Sequence, residues 1–194
     1  MKLEGLVFVT SNLGKLEEAR AILGLPLKHQ ALKLPEIQSL DLEAIVRHKA
    51  RAAHERLGVP VLVEDTALEL AGLGGFPGPL VRWLLATVGP TGIARIAHAF
   101  GDPRARARCL ACATDGETEV FGLGEVRGTI AESPRGSEGF GWDSVFIPDG
   151  CGGRTYAEME PAEKNRVSHR RKALLALRER LNAGGTWAMV RTPP

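Results

Sequence analysis

The sequence predicts an α/β fold built on a sheet of mixed strand direction. Three observations lead there. Short apolar runs alternate with segments of helical periodicity through the first half of the chain. Two longer runs, Ala105 to Thr114 and Glu117 to Val126, flank Asp115-Gly116, a strong hairpin signal that makes part of the sheet antiparallel. The chain then closes on a long helical stretch. The resulting order, β-α-α-β-α-α-β-β-β-α, does not suit a purely alternating parallel wind.

Each element has a local reason. Leu6 to Val9 is a short apolar strand. Leu16 to Leu23 is a helix with Leu16, Ala19, Ile22 and Leu23 on one face and Gly24 as its stop. Leu25 to Leu40, with Pro26 and Pro35, reads as a looser segment. Asp41 N-caps a helix that runs to Leu57 and stops at Gly58. Val59 to Val63 is an apolar run of the kind a strand covered on both faces shows, with Pro60 tolerable near its start. Gly72 to Gly78 is a flexible loop. Pro79 suits the first position of a helix from Leu80 to Val88, and Thr91 caps another from Gly92 to Phe100. A strand lies around Val145 to Ile147. Pro161 to about Leu181 is helical, with Leu174, Leu177 and Leu181 at core spacing, and Gly184 and Gly185 end it.

The bulk properties narrow the class. The 194 residues suit a single α/β domain, 1–194, with 186–194 as a short tail. The chain is 44% apolar and 25% charged with a net charge of +2, too mild to indicate binding to nucleic acid or a membrane surface. No stretch approaches the ~20 apolar residues of a membrane span. The N-terminus reads as the approach to a strand, not as a secretory leader, so a cytoplasmic protein is expected. The three cysteines make no disulfide framework. Cys109 and Cys112, three apart on a strand, face opposite ways and so form no redox or zinc motif.

Several segments carry chemistry. The apolar run before Glu64, Asp65 and Thr66 is expected to end on them. A buried strand that delivers carboxylates at its C-terminal end can place a metal and a base. Adjacent carboxylates repel, so they need a cation or donors nearby. The competing reading is that they open a polar loop. Thr10 to Lys15 joins a strand to a helix, and a helix N-terminus offers N–H groups and a positive dipole end. Ser11, Asn12 and Lys15 make a phosphate cradle there, unless Ser11 or Asn12 simply caps the helix. With one glycine it is not a Walker A loop. Glu36 is an acid on a loop among apolar neighbours, and Lys49 lies mid-helix. In Phe140-Gly141-Trp142-Asp143 an aromatic ring can stack on a base and Asp143 can read its edge, unless the aromatics form a core cluster in a glycine-rich turn. Lys164 and His169 would point about 140° apart on one unbroken helix. A break at Ser168, which would N-cap the last helix, puts His169 and Arg170 in its first turn. Basic groups there are unfavourable unless an anion or polar ligand joins them, the competing reading being a solvated basic helix face.

Taken together these segments resemble one family, the inosine triphosphate pyrophosphatases, from Val7 to about Leu181. The matching motifs are Thr10-Ser11-Asn12-Leu13-Gly14-Lys15, Leu34-Pro35-Glu36, Val63-Glu64-Asp65-Thr66, Gly75-Phe76-Pro77-Gly78, Phe140-Gly141-Trp142-Asp143, and Glu163-Lys164-Asn165 with Ser168-His169-Arg170. The resemblance implies hydrolysis of ITP, dITP and XTP to the monophosphate and pyrophosphate by a Mg²⁺-dependent homodimer. It implies a two-lobed α/β structure with an elongated central mixed β-sheet flanked by helices and the active site in the cleft between lobes. Glu36 and Asp65 match metal-binding acids, and Asp65 also matches the general base, with Glu64 a supporting or water-orienting acid. Thr10, Ser11, Asn12, Lys15 and Lys49 match the phosphate side, and Thr66 matches a substrate-contacting position. Phe140, Gly141, Trp142, Asp143, Lys164, His169 and Arg170 match the base side. Ser144 stands where the family often has Pro, which leaves the rigidity of that turn open, and the Gly-Gly-Thr-Trp tail is unmatched.

Overall fold

The computed structural model describes residues 1–184. The expected tail, 186–194, lies outside them, as does Gly185. In chain order the elements are β1 (Val7–Val9), α1 (Leu13–Leu23), β2 (Lys28–Gln30), α2 (Leu42–Leu57), β3 (Val61–Leu70), β4 (Pro77–Gly78), α3 (Val81–Ala99), β5 (Arg104–Thr114), β6 (Glu119–Ile130), β7 (Phe146–Pro148), α4 (Pro161–Val167) and α5 (His169–Asn182). The sheet runs β2-β1-β3-β5-β6-β7, with β4 against the far end of β3. β1 lies parallel to β2 and β3, and every other pairing is antiparallel, so the sheet is mixed as expected.

The turn chemistry works as read. The Asp115 carboxylate accepts the N–H groups of Glu117 and Thr118 and closes the β5–β6 hairpin. Asp41 accepts from the N–H groups of Glu43 and Ala44 at the start of α2. Gly58 ends it at φ 64°, a conformation that favours glycine. α1 begins earlier than expected, at Leu13, because Asn12 caps it by accepting the Lys15 N–H. The looser segment hides a strand, β2. Lys28-His29-Gln30 has no apolar signal because it is a sheet edge, half out in water. Pro79 does not open α3; Leu80 is its N-cap. The expected break between two helices is a kink at Gly89 (φ 66°), so Pro90 leads the second segment and Thr91 caps nothing.

The largest correction concerns the acids. β3 does not stop at Glu64 but runs on to Leu70. What stops is its neighbour. β1 pairs with β3 only as far as Phe8–Leu62, and β4 joins β3 only at Leu68 and Glu69. Between them one edge of Glu64 to Ala67 has no partner strand among the described residues. The apolar run changes to polar there because the cover changes, not because the strand ends.

Period-two alternation sends the two acids to opposite faces of the sheet. On one face Phe8, Leu62, Cys109, Ala111 and Ala113 pack under α1 and α5. On the other Val61, Val63, Leu110, Cys112 and Phe121 pack under α2. Cys109 and Cys112 thus fall in different cores, as their spacing requires. A third cluster fills the far end of β3, β5 and β6 beneath α3, with Trp142, Phe146 and Tyr156.

Candidate active site

A cavity of about 600 Å³ opens where β1 ends and β3 loses its partner. The turn between β1 and α1 brings Thr10, Ser11, Asn12 and Lys15 to it, and β3 brings Asp65 and Thr66. Glu36 reaches it from the loop before α2, and Lys49 from α2 itself. The opposite end is made by Phe140, Gly141, Trp142 and Asp143 together with His169 and Arg170 at the start of α5. Two expected residues, Glu64 and Lys164, are buried behind the wall and do not line it.

At the first end two lysines face the acids. Lys15 Nζ lies 2.6 Å from Glu64 Oε1 and 3.9 Å from Asp65 Oδ1. Lys49 Nζ lies 3.8 Å from Asp65 Oδ2 and 3.5 Å from Glu36 Oε1. Burial alone would push the Lys15 amine down, but Glu64 and Asp65 outweigh it and raise it, so it stays charged. Glu36 also meets Arg82 of α3 at 3.2 Å. Carboxylates from a loop and from a strand therefore converge on one ammonium, Lys49. Two acids that share one cation in this way suit a divalent ion with hard-oxygen preference. Among the described residues no group of three or more His, Cys, Asp or Glu side chains forms a metal cage. Water and phosphate oxygens would complete such an ion's shell.

The other end is held by glycines and a carboxylate. The Phe140 ring rests on Gly14, where a Cβ would sit 2.7 Å from Cδ1 of the ring. Asp143 accepts the Phe140 N–H at 2.8 Å, which closes the turn. Gly139, at φ 75°, leaves room for it, since a Cβ there would lie 2.2 Å from Asp143 Oδ2. The turn is thus fixed by these contacts with Ser144 after Asp143. Trp142 is buried; it stacks on His169 at 5.3 Å between centroids and meets Phe146 edge-on. Burial, then the charges of Arg170 and Lys164, hold the His169 imidazole well below its usual value, so it is neutral. His169 lines the cavity, and its Nδ1 is buried with no hydrogen-bond partner among the described residues.

Between the two ends runs a buried chain of charges. Glu64 Oε2 accepts from Arg170 Nε at 3.1 Å, and Arg170 Nη1 also pairs with Glu18. Lys164 joins Glu18 and Asp143, each at 2.6 Å. Three cations (Lys15, Lys164, Arg170) thus meet three carboxylates (Glu18, Glu64, Asp143). Burial opposes ionisation of Glu64, but Arg170 and Lys15 outweigh it and hold its carboxyl well below the usual range. Burial dominates at Asp143 and raises it despite Lys164. The basic first turn of α5 is therefore offset from within the protein, by Glu18 and Glu64.

Glu18 was not singled out from sequence. It lies three residues after Lys15 on α1, a spacing that puts both on one face, and that was the available signal. Arg82 and Trp83 of α3 also line the cavity unforeseen. The break at Ser168 holds: α4 ends at Val167, and Ser168 caps α5 by accepting the Arg171 N–H at 3.2 Å. Ser168→Ala is expected to cost about 1 kcal/mol in urea unfolding, the usual loss of a cap.

The Ham1 family model matches residues 6–180 of this chain. Inosine triphosphate pyrophosphatase 2 of Trypanosoma cruzi is 48% identical over 178 residues, covering 89% of this chain and 90% of that one. The dITP/XTP pyrophosphatase of Methanopyrus kandleri is 42% identical over 176 residues, covering 87% and 92%. Among solved structures, a HAM1 protein from Coxiella burnetii superposes with a TM-score of 0.76 at 28% identity, covering 92% of this chain and 99% of that one.

Proposed function

This chain belongs to the Ham1 family, and from that premise we propose that it hydrolyses ITP, dITP and XTP to the monophosphate and pyrophosphate, with Asp65 as general base and Mg²⁺ as cofactor. The carrying observation is one cavity with paired acids and lysines at one end and an aromatic turn with the imidazole of His169 at the other. A triphosphate and a base need those two ends. The relatives named inosine triphosphate pyrophosphatase and dITP/XTP pyrophosphatase support the same substrate class.

Glu36 and Asp65 would hold the divalent cation, which supplies charge for the phosphoryl oxygens and lowers the pKa of bound water. Lys15 and Lys49 offset the negative charge of the phosphates, where stabilisation is mainly electrostatic. Asp65 accepts a proton from the attacking water. The water oxygen bonds to the α-phosphorus, the bond from that phosphorus to its bridging oxygen breaks, and pyrophosphate departs with the electron pair. Phe140 stacks on the base. His169, as the neutral Nδ1–H tautomer, donates to the 6-oxo group. The 6-amino group of adenine would leave that buried donor unpaired, which supports discrimination on the order of 10⁴. The same reading takes the enzyme as a cytoplasmic homodimer, by its resemblance to the family.

The deciding assay follows products. With Mg²⁺, ITP and XTP are expected to release pyrophosphate while ATP releases almost none, and chelation is expected to stop the reaction. Orthophosphate as the product, or equal turnover of ATP, would sink the reading.

A further inference from the structure

Glu64 is almost fully buried and does not line the cavity, so it cannot touch an attacking water. Yet both of its oxygens are engaged. Oε1 forms an ion pair with the Lys15 ammonium outside hydrogen-bond geometry, and Oε2 accepts from Arg170 Nε at 3.1 Å and the Cys109 thiol at 3.0 Å. Lys15 stands on α1 at the phosphate end, and Arg170 stands on α5 at the base end. β3 carries Glu64 beneath both helices, so a single carboxylate joins two ends of the site.

Cys109 is the odd side chain on its face of β5. The other residues of that face from Ala105 to Ala113 are Ala105, Ala107, Ala111 and Ala113. Ala111 and Ala113 pack with Cys109 under α5, and Ala105 and Ala107 pack in the cluster beneath α3, so alanine meets the demand for small size at every other position. The thiol adds one thing alanine lacks, a donor, and it is spent on Glu64. The strand register places Cys109 opposite Thr66 and Glu64 opposite Ala111, so the two are diagonal neighbours on one face.

Resting on the reaction above, we propose that Glu64, oriented by Cys109, is a positioning residue that couples occupancy of the phosphate end to recognition of the base. The carboxylate divides its attraction between two cations. When a phosphate group draws on the Lys15 ammonium, Glu64 is left to hold Arg170 more firmly, and the guanidinium is set for the base. Linkage makes the effect reciprocal: a bound nucleoside favours phosphate to the same degree.

The test separates the two ends by using pieces of the substrate. Inosine binding is measured by calorimetry with Mg²⁺, with and without saturating pyrophosphate, in the wild type, Cys109→Ala, Cys109→Ser and Glu64→Gln. Pyrophosphate is expected to tighten inosine binding by about fivefold in the wild type, the low end of allosteric coupling. Cys109→Ser, which keeps a donor, is expected to retain the effect. Cys109→Ala is expected to reduce it to about twofold or less, and Glu64→Gln to abolish it. If Glu64→Gln does not fold, the Ala and Ser variants at Cys109 decide. Inosine that binds equally well with and without pyrophosphate, or a Cys109→Ala variant with full coupling, overturns the proposal alone. Inosine that does not bind at all overturns the base-end reading, and the proposal with it.

Discussion

Asp65→Asn is expected to lower kcat for ITP by about a thousandfold, within the range spanned by loss of a general base. The substitution keeps the shape of the side chain and its acceptance of the Thr66 N–H at 2.8 Å. It removes a charge that faces Lys15 at 3.9 Å and Lys49 at 3.8 Å. Both lysines are then freer to attract phosphate, so KM should hold or fall while kcat collapses, the pattern of an interaction made chiefly in the transition state. The side chain is partly solvated and the fold should survive, which a melting curve checks. Asp65 is also a proposed cation ligand, and a titration separates the roles. If it only held the cation, saturating Mg²⁺ would restore the rate. If it is the base, the rate stays low at any Mg²⁺ concentration. Turnover near the wild-type rate would show that the base lies elsewhere.

What was legible in the sequence was what local chemistry decides. Asp41, Gly58 and Ser168 act within a turn of themselves, so the bounds of α2 and the break between α4 and α5 could be read directly. Asp115-Gly116 likewise implied its hairpin. The motifs proposed for the phosphates and the base were each visible as short strings, and most of their residues line one cavity. What was hidden depends on partners remote in the chain. β2 carries no apolar pattern because it is an edge, and only its parallel pairing with β1 makes it a strand. The length of β3 was masked because its composition follows its neighbours: apolar beside β1, polar at the gap, apolar again under α3. The burial of Glu64 and Lys164 reflects partners remote in the chain, Lys15 and Arg170 for the first and Glu18 and Asp143 for the second. A surface Glu and a buried, paired Glu look the same in one dimension.

The approach of α5 to the sheet yields the second large effect, and its sign is the informative part. Glycine inside a strand normally weakens it, so Gly→Ala in β6 would ordinarily stabilise. At Gly122 a Cβ would lie 2.2 Å from the Ala173 carbonyl oxygen, and at Gly124 it would lie 2.0 Å from the His169 carbonyl oxygen. Both obstacles are backbone atoms of α5, so no side chain can swing aside. The whole helix must lift, and with it the cores shared with Leu174 and Leu177. Each Ala variant is therefore expected to lose about 3 kcal/mol, the upper end of overpacking. That corresponds to a fall of roughly 6–12 °C in Tm at ~2–4 °C per kcal/mol for a chain of this size. The two variants should differ in function. Gly122 faces the middle of α5, whereas Gly124 faces its first turn, where His169 stacks on Trp142 and Arg170 meets Glu64. Gly124→Ala should narrow the preference for ITP over ATP by more than tenfold among the molecules that remain folded, and Gly122→Ala should leave most of it. A Gly124→Ala protein that melts with the parent and keeps its selectivity would mean that α5 does not rest on β6 as described. The base end of the site would then need another support.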